Sequence, residues 1–158
     1  MERTLHETDK TTSGLEDVRI PVKLKLAALW ASAMFCYIYG DYFLLYQPGK
    51  LQDILAGRMA PLGPVTQGVL LGTTISMVIP AVMIFLSLVV KPSLNRWLNV
   101  VLGLLYTIFV LLTMSGAWAF YLFLGTVDMI LTLLIAWYAW TWPRLAHSEG
   151  DTGETDAT

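Results

Sequence analysis

From Leu26 to Gly40 the chain carries no charged residue, and apolar runs of similar length recur three more times before residue 143. A helix needs about 20 apolar residues to cross a bilayer core, and the runs predict spans at about 24–46, 65–90, 97–114 and 117–142. Pro48-Gly49 ends the first and Pro143-Arg144 the last. Pro80 lies inside the second, where neighbouring helices can re-satisfy the freed carbonyl. Lys91 to Arg96 is a polar link with Ser93 as the expected N-cap of the third span. Ser115-Gly116 reads as a tight turn between the third and fourth. In the longest internal connection Leu51, Ile54, Leu55 and Met59 fall at helical spacing, with Lys50, Asp53 and Arg58 on other faces. That pattern predicts a short amphipathic helix on the membrane surface, after which Pro61 and Gly63-Pro64 turn the chain back. The expected fold is all-α, a four-span transmembrane helix bundle with a short extracytoplasmic interfacial helix.

The flanks differ. Residues 1–14 read as a polar disordered tail, 15–144 as the four-helix membrane domain and 145–158 as an acidic polar tail. Between Leu15 and Leu26, Val18, Ile20, Val22, Leu24 and Leu26 alternate with Arg19, Pro21, Lys23 and Lys25, as in an interfacial segment. Ala31-Ser32-Ala33 has the small residues of a signal cleavage site, but a long charged segment precedes it and the apolar run continues past it. The first span is therefore expected to be retained. With four spans, Arg3, Lys10, Arg19, Lys23, Lys25, Lys91, Arg96 and Arg144 share one side and only Lys50 and Arg58 the other. The positive-inside rule then places both termini in the cytoplasm. Trp97, Trp137, Tyr138, Trp140 and Trp142 would form the cytoplasmic aromatic belt, and Tyr42, Phe43, Tyr46, Trp118 and Phe120 the outer one.

Composition narrows the function classes. The 158 residues are 56% hydrophobic and 14% charged, against roughly 45–50% and about 25% in soluble domains. A net charge of −2 leaves no basic footprint for nucleic acid. Cys36 is the single cysteine, and His6 and His147 lie in the tails. The bundle thus lacks the usual ligands for a metal or a bound redox cofactor, and none is expected. There is no G-x-S-x-G, no H-E-x-x-H, no P-loop, and no lysine or histidine deep in a span to activate a serine.

Close helix approach in lipid needs small residues. Stripes at spacing four are Ala28, Ser32, Cys36 and Gly40 in the first span, and Gly68, Gly72, Ser76 and Pro80 in the second. Asn99, Gly103 and Thr107 in the third, and Ala117, Tyr121 and Gly125 in the fourth with Asp128 and Thr132 one step round, extend the pattern. These are read as helix contacts, with the lining of a polar cavity as the alternative. Counting back from the turn places Asp128 opposite Gly103 and Tyr106 opposite Gly125. At ~1.5 Å per residue, Asp128 lies ~15 Å below Trp118, near the bilayer midplane.

An aspartate at that depth costs ~2.5–3.5 kcal/mol on insertion scales and should face protein or water. Asp128 could be a proton-exchanging or cation-binding carboxyl, or a structural one bonded to Tyr106, Thr107 or Thr132. A second candidate lies further out, where Asp41 is flanked by Tyr37, Tyr39 and Tyr42. It could be an outward-facing binding site, or an interfacial belt in which Asp41 pairs with Lys50 or Arg58. Tyr121 or Tyr39 could bridge the two aspartates.

Leu15-Glu16-Asp17-Val18 through Trp30, CYIYGDY at 36–42, GRMAPLGPVTQGVLLGT at 57–73, RWLN at 96–99, GAWAFYLFLG at 116–125 and WYAWTWPR at 137–144 carry a resemblance. Together they resemble a family of small bacterial four-helix integral membrane proteins of unknown function, over residues 15–144. The resemblance implies a four-span membrane protein and supplies no activity. A similarity to DoxX-like membrane proteins rests on span count and length alone. Three functions stay open: a non-enzymatic bundle that binds or assembles with another membrane component, a small proton-coupled transporter or channel using Asp128 and Asp41, and a membrane enzyme or quinone-interacting subunit. The expected partners are the lipid bilayer and a second copy or another membrane protein.

Overall fold

The computed structural model describes residues 19–59 and 62–143. Both polar tails, residues 15–18, Pro61, and Arg3, Lys10 and Arg144 of the charge count lie outside the described residues. Among the described residues, four helices are long and apolar enough to cross a membrane: α1 (Val22–Leu44), α3 (Gln67–Val89), α4 (Pro92–Thr113) and α5 (Ala119–Trp140). The short α2 (Lys50–Leu55) follows α1, as the amphipathic spacing predicts. After it come two strands of two residues each, β1 (Arg58–Met59) and β2 (Gly63–Pro64), paired antiparallel. The periodicity did not predict this hairpin. Gly57 and Gly63, both at positive φ, shape it, and an Arg58–Asp53 ion pair of 2.7 Å ties it to α2.

Local chemistry explains the boundaries. Pro21 precedes α1, and Thr66 caps α3 by accepting from the Val69 amide at 3.2 Å. At α4 the cap is Lys91 rather than Ser93, because Pro92 already occupies the first helical position. α1 runs unbroken through Ala31–Ala33.

The long helices lie in the order α3, α1, α5, α4, with each pair of neighbours closely packed. α3 and α4, although consecutive in sequence, barely touch. One end of the bundle is basic. There Lys23 donates to the carbonyls of Leu88 (3.1 Å) and Val90 (2.8 Å), Lys25 lies over the Tyr138 ring, and Arg96 over Trp140. These contacts bring the starts of α1 and α4 and the ends of α3 and α5 to one side. The α2–hairpin segment lies at the other. The core is Leu26, Trp30, Met83, Val100, Tyr106, Ile135 and Ala139, with Trp30 edge-on to Tyr106 at 5.8 Å.

The small-residue stripes divide. At Gly103 a methyl group would stand 2.9 Å from the Thr132 carbonyl oxygen, so glycine is what lets α4 and α5 meet. Gly125 is buried against Met114, and Gly40 under the Tyr121 ring. Ala28, Ser32, Gly68 and Gly72 are exposed, and Cys36 and Ser76 half-buried. The buried face of α1 instead runs through Leu26, Ala27, Trp30, Ala33 and Gly40. The α4/α5 register also differs from the count through Ser115-Gly116. Gly103 faces Thr132 and Ala136 rather than Asp128, and Gly125 faces Met114 rather than Tyr106. The connection spans residues 114–118, with Gly116 at φ 71° and Trp118 extended, and it displaces α5 by more than a turn.

Candidate functional site

Two polar clusters are buried in the bundle. Near the basic end, α4 places Asn95 and Asn99 four residues apart on one face. Asn99 is the hub. Its Oδ1 accepts from Trp30 Nε1 (2.8 Å) and from the Ser87 hydroxyl (3.3 Å), and its Nδ2 donates to Asn95 Oδ1 (2.6 Å) and Asn95 O (2.8 Å). Asn95 Nδ2 donates to the Ser87 carbonyl at 2.6 Å. All four side chains are fully buried, and the bonds join α1, α3 and α4. The sequence reading missed this network as a unit. Its available signal was the pair of amides at helical spacing beside an apolar run.

The second cluster lies deeper, at Asp128 of α5. Asp128 is 2% exposed, and neither carboxyl oxygen has a hydrogen-bond partner. The buried Tyr37 hydroxyl is also without one. Tyr37 and Asp128 interact across the α1/α5 seam without meeting hydrogen-bond geometry. The partners expected for Asp128 are engaged elsewhere. Tyr106 donates to the Ser76 carbonyl at 2.5 Å, and the Thr107 and Thr132 hydroxyls bond each other at 2.8 Å. Only the Asp128 backbone carbonyl is reached, by Thr132 at 3.0 Å.

The outer candidate separates. Tyr37 joins Asp128, because the buried face of α1 passes through Ala33 and Gly40 on either side of it. Asp41, one step round from Gly40, is exposed and within electrostatic reach of Lys50. Arg58 is taken by Asp53. Tyr39 stacks on Phe43, and the Tyr42 hydroxyl shares a hydrogen bond with Tyr46 at 2.8 Å. Tyr121 packs over Gly40 and edge-on to Phe120.

A lateral recess opens in the loose seam between α3 and α4. It has a volume of about 270 Å³ and is lined by Gly72, Ile75, Ser76 and Ile79 of α3 and Leu105, Tyr106 and Phe109 of α4. Its wall is apolar except at Ser76 and Tyr106, which are hydrogen-bonded to each other. Tyr106 is the shared element, because its ring also lies 6.2 Å from that of Tyr37. No group of three or more metal-ligating side chains occurs among the described residues.

These features define a small multi-pass membrane bundle with an unpartnered polar pair in its middle and an apolar recess in its side. Residues 19–148 match the Family of unknown function (DUF6326), and the chain belongs to that family. No curated protein and no solved structure matches the chain, and a likeness to DoxX-like proteins is not shown.

Proposed function

We propose that this protein is a non-enzymatic binding bundle of the bacterial cytoplasmic membrane, taking an apolar chain from the lipid phase into the α3/α4 recess. The carrying observation is the recess itself: α3 and α4 separate where every other neighbouring pair of long helices packs closely. Its wall selects the occupant: it is apolar apart from Ser76 and Tyr106, and both of these are already hydrogen-bonded, so an apolar chain enters it without leaving a polar group unpaired. Both termini face the cytoplasm in this reading, supported by Arg19, Lys23, Lys25, Lys91 and Arg96 at one end against Lys50 and Arg58 at the other.

The test is native mass spectrometry of protein released from detergent. Gly72 faces open space, so Gly72→Leu fills the recess without a backbone clash. Wild type should retain one apolar-tailed molecule that Gly72→Leu loses; equal retention by both defeats the proposal. A second reading, proton movement through Asp128, is favoured by its unbonded carboxyl. Proton flux in liposomes that Asp128→Asn abolishes, with melting temperature unchanged, would carry it.

A further inference from the structure

Resting on the recess as a lipid-chain site, we propose that its occupant is one acyl chain of a phospholipid from the leaflet on the α2 side. The chain enters from that leaflet alone, and its headgroup stays outside at the membrane surface. The seam between α3 and α4 is fastened at one end and not at the other. At the basic end Asn95 donates to the Ser87 carbonyl, the Ser87 hydroxyl donates to Asn99, and Met83 shares the core with Val100. Only Val90 and Lys91 separate the two helices there. Toward α2 these ties stop. α3 buries Pro80, Met83 and Ser87, all in the half nearest the basic end, and no residue from Gln67 to Ile79 is buried. The bond from Tyr106 to the Ser76 carbonyl is the last across the seam; among the described residues no hydrogen bond joins 67–75 to 107–113. Along the row of spacing four beyond Ser76, α3 carries only Gly72 and Gly68, both exposed.

Depth points to the same leaflet. At ~1.5 Å per residue, Gly72 lies ~7 Å from the start of α3 and Phe109 ~6 Å from the end of α4, both on the α2 side. By the same rise Ile79 and Leu105 still stand ~15 Å and ~20 Å from the basic ends of their helices. A hydrocarbon core of about 30 Å gives each leaflet ~15 Å, so the recess belongs to the α2-side leaflet. A chain hanging from that surface passes Gly72 at its middle and ends near Ile79. A chain from the opposite leaflet meets the fastened stretch at Ser87, Met83 and Pro80 first, and only its tip reaches Ile79. The headgroup gains nothing by following. Tyr106 and the Ser76 hydroxyl are engaged, the latter with the Thr73 carbonyl at 2.7 Å, and no charged side chain lines the recess among the described residues. A charged head would lose its water there without a partner.

The test is photolabelling of the full chain in phospholipid vesicles. Two phosphatidylcholine probes carry a diazirine either halfway down one acyl chain or at its end, and tandem mass spectrometry places the crosslinks. The halfway probe should label the segments holding Gly72 and Phe109. Gly72→Leu should cut that labelling about tenfold, the effect of two chain methylenes losing their burial, and leave labelling at Phe123, exposed on α5, unchanged. Leu105→Trp fills the recess from its other wall and should do the same, so a folding defect in one variant does not decide the result. Labelling of the recess by the chain-end probe alone overturns the leaflet assignment and leaves the recess reading standing. Labelling that neither substitution reduces, or no labelling of these segments by either probe, overturns the recess reading as well.

Discussion

The two buried polar clusters sit in one bundle and obey opposite rules. Around Asn99, every buried side-chain nitrogen and oxygen has a partner, and the bonds cross between three helices. Around Asp128, three buried atoms have none. In lipid, association gains little from the hydrophobic effect, so interhelical hydrogen bonds and close packing hold a bundle together. The Asn99 network does that work for α1, α3 and α4. The Asp128–Tyr37 pair joins only α1 and α5, and does so without hydrogen-bond geometry.

The comparison can be broken most easily at its structural half. Asn99→Leu should leave Trp30 Nε1 and Asn95 Oδ1 without partners and destabilise the bundle by about 2–3 kcal/mol, read from unfolding in detergent. A loss below ~0.5 kcal/mol would remove the network from its structural role. Gly103→Ala should come next, at about 1–2 kcal/mol, because the new methyl meets backbone at 2.9 Å and 3.1 Å. Gly72→Ala, which meets nothing within 4 Å, is its control and should be near neutral. Tyr106→Phe removes the bond to the Ser76 carbonyl that ties α4 to α3 and should lose about 1 kcal/mol. It should also broaden the distance distribution between spin labels placed at Ile79 and Leu105 across the seam. Tyr37→Phe is the smallest change: it deletes an unbonded hydroxyl and should lie within ~0.5 kcal/mol of wild type in the same unfolding assay.

Much of this was legible in the sequence, for physical reasons. Span number and placement follow from the length of uncharged runs, and α2 from the amphipathic spacing at Leu51, Ile54 and Leu55. Asp128 stood out because a carboxyl inside an apolar run is expensive. What it faces did not, because that depends on register. The Met114–Trp118 connection displaces α5, and a count of residues through Gly116 does not see it. Tyr37 was grouped with Asp41 by proximity along the chain, yet the packed face of α1 sends it toward Asp128. The recess was not legible at all. It exists because α3 packs on α1 rather than on its sequence neighbour α4, and a hydrophobic pattern carries no record of which helix sits beside which.

The most direct measurement is the melting temperature of Asp128→Leu beside that of Asn99→Leu, both in lipid-depleted detergent. Removing an unpaired buried carboxyl should relieve about 1 kcal/mol or more, so Asp128→Leu should melt above wild type while Asn99→Leu melts below it. If both melt below wild type by similar amounts, Asp128 is a structural residue like Asn99, and the distinction between the two clusters fails.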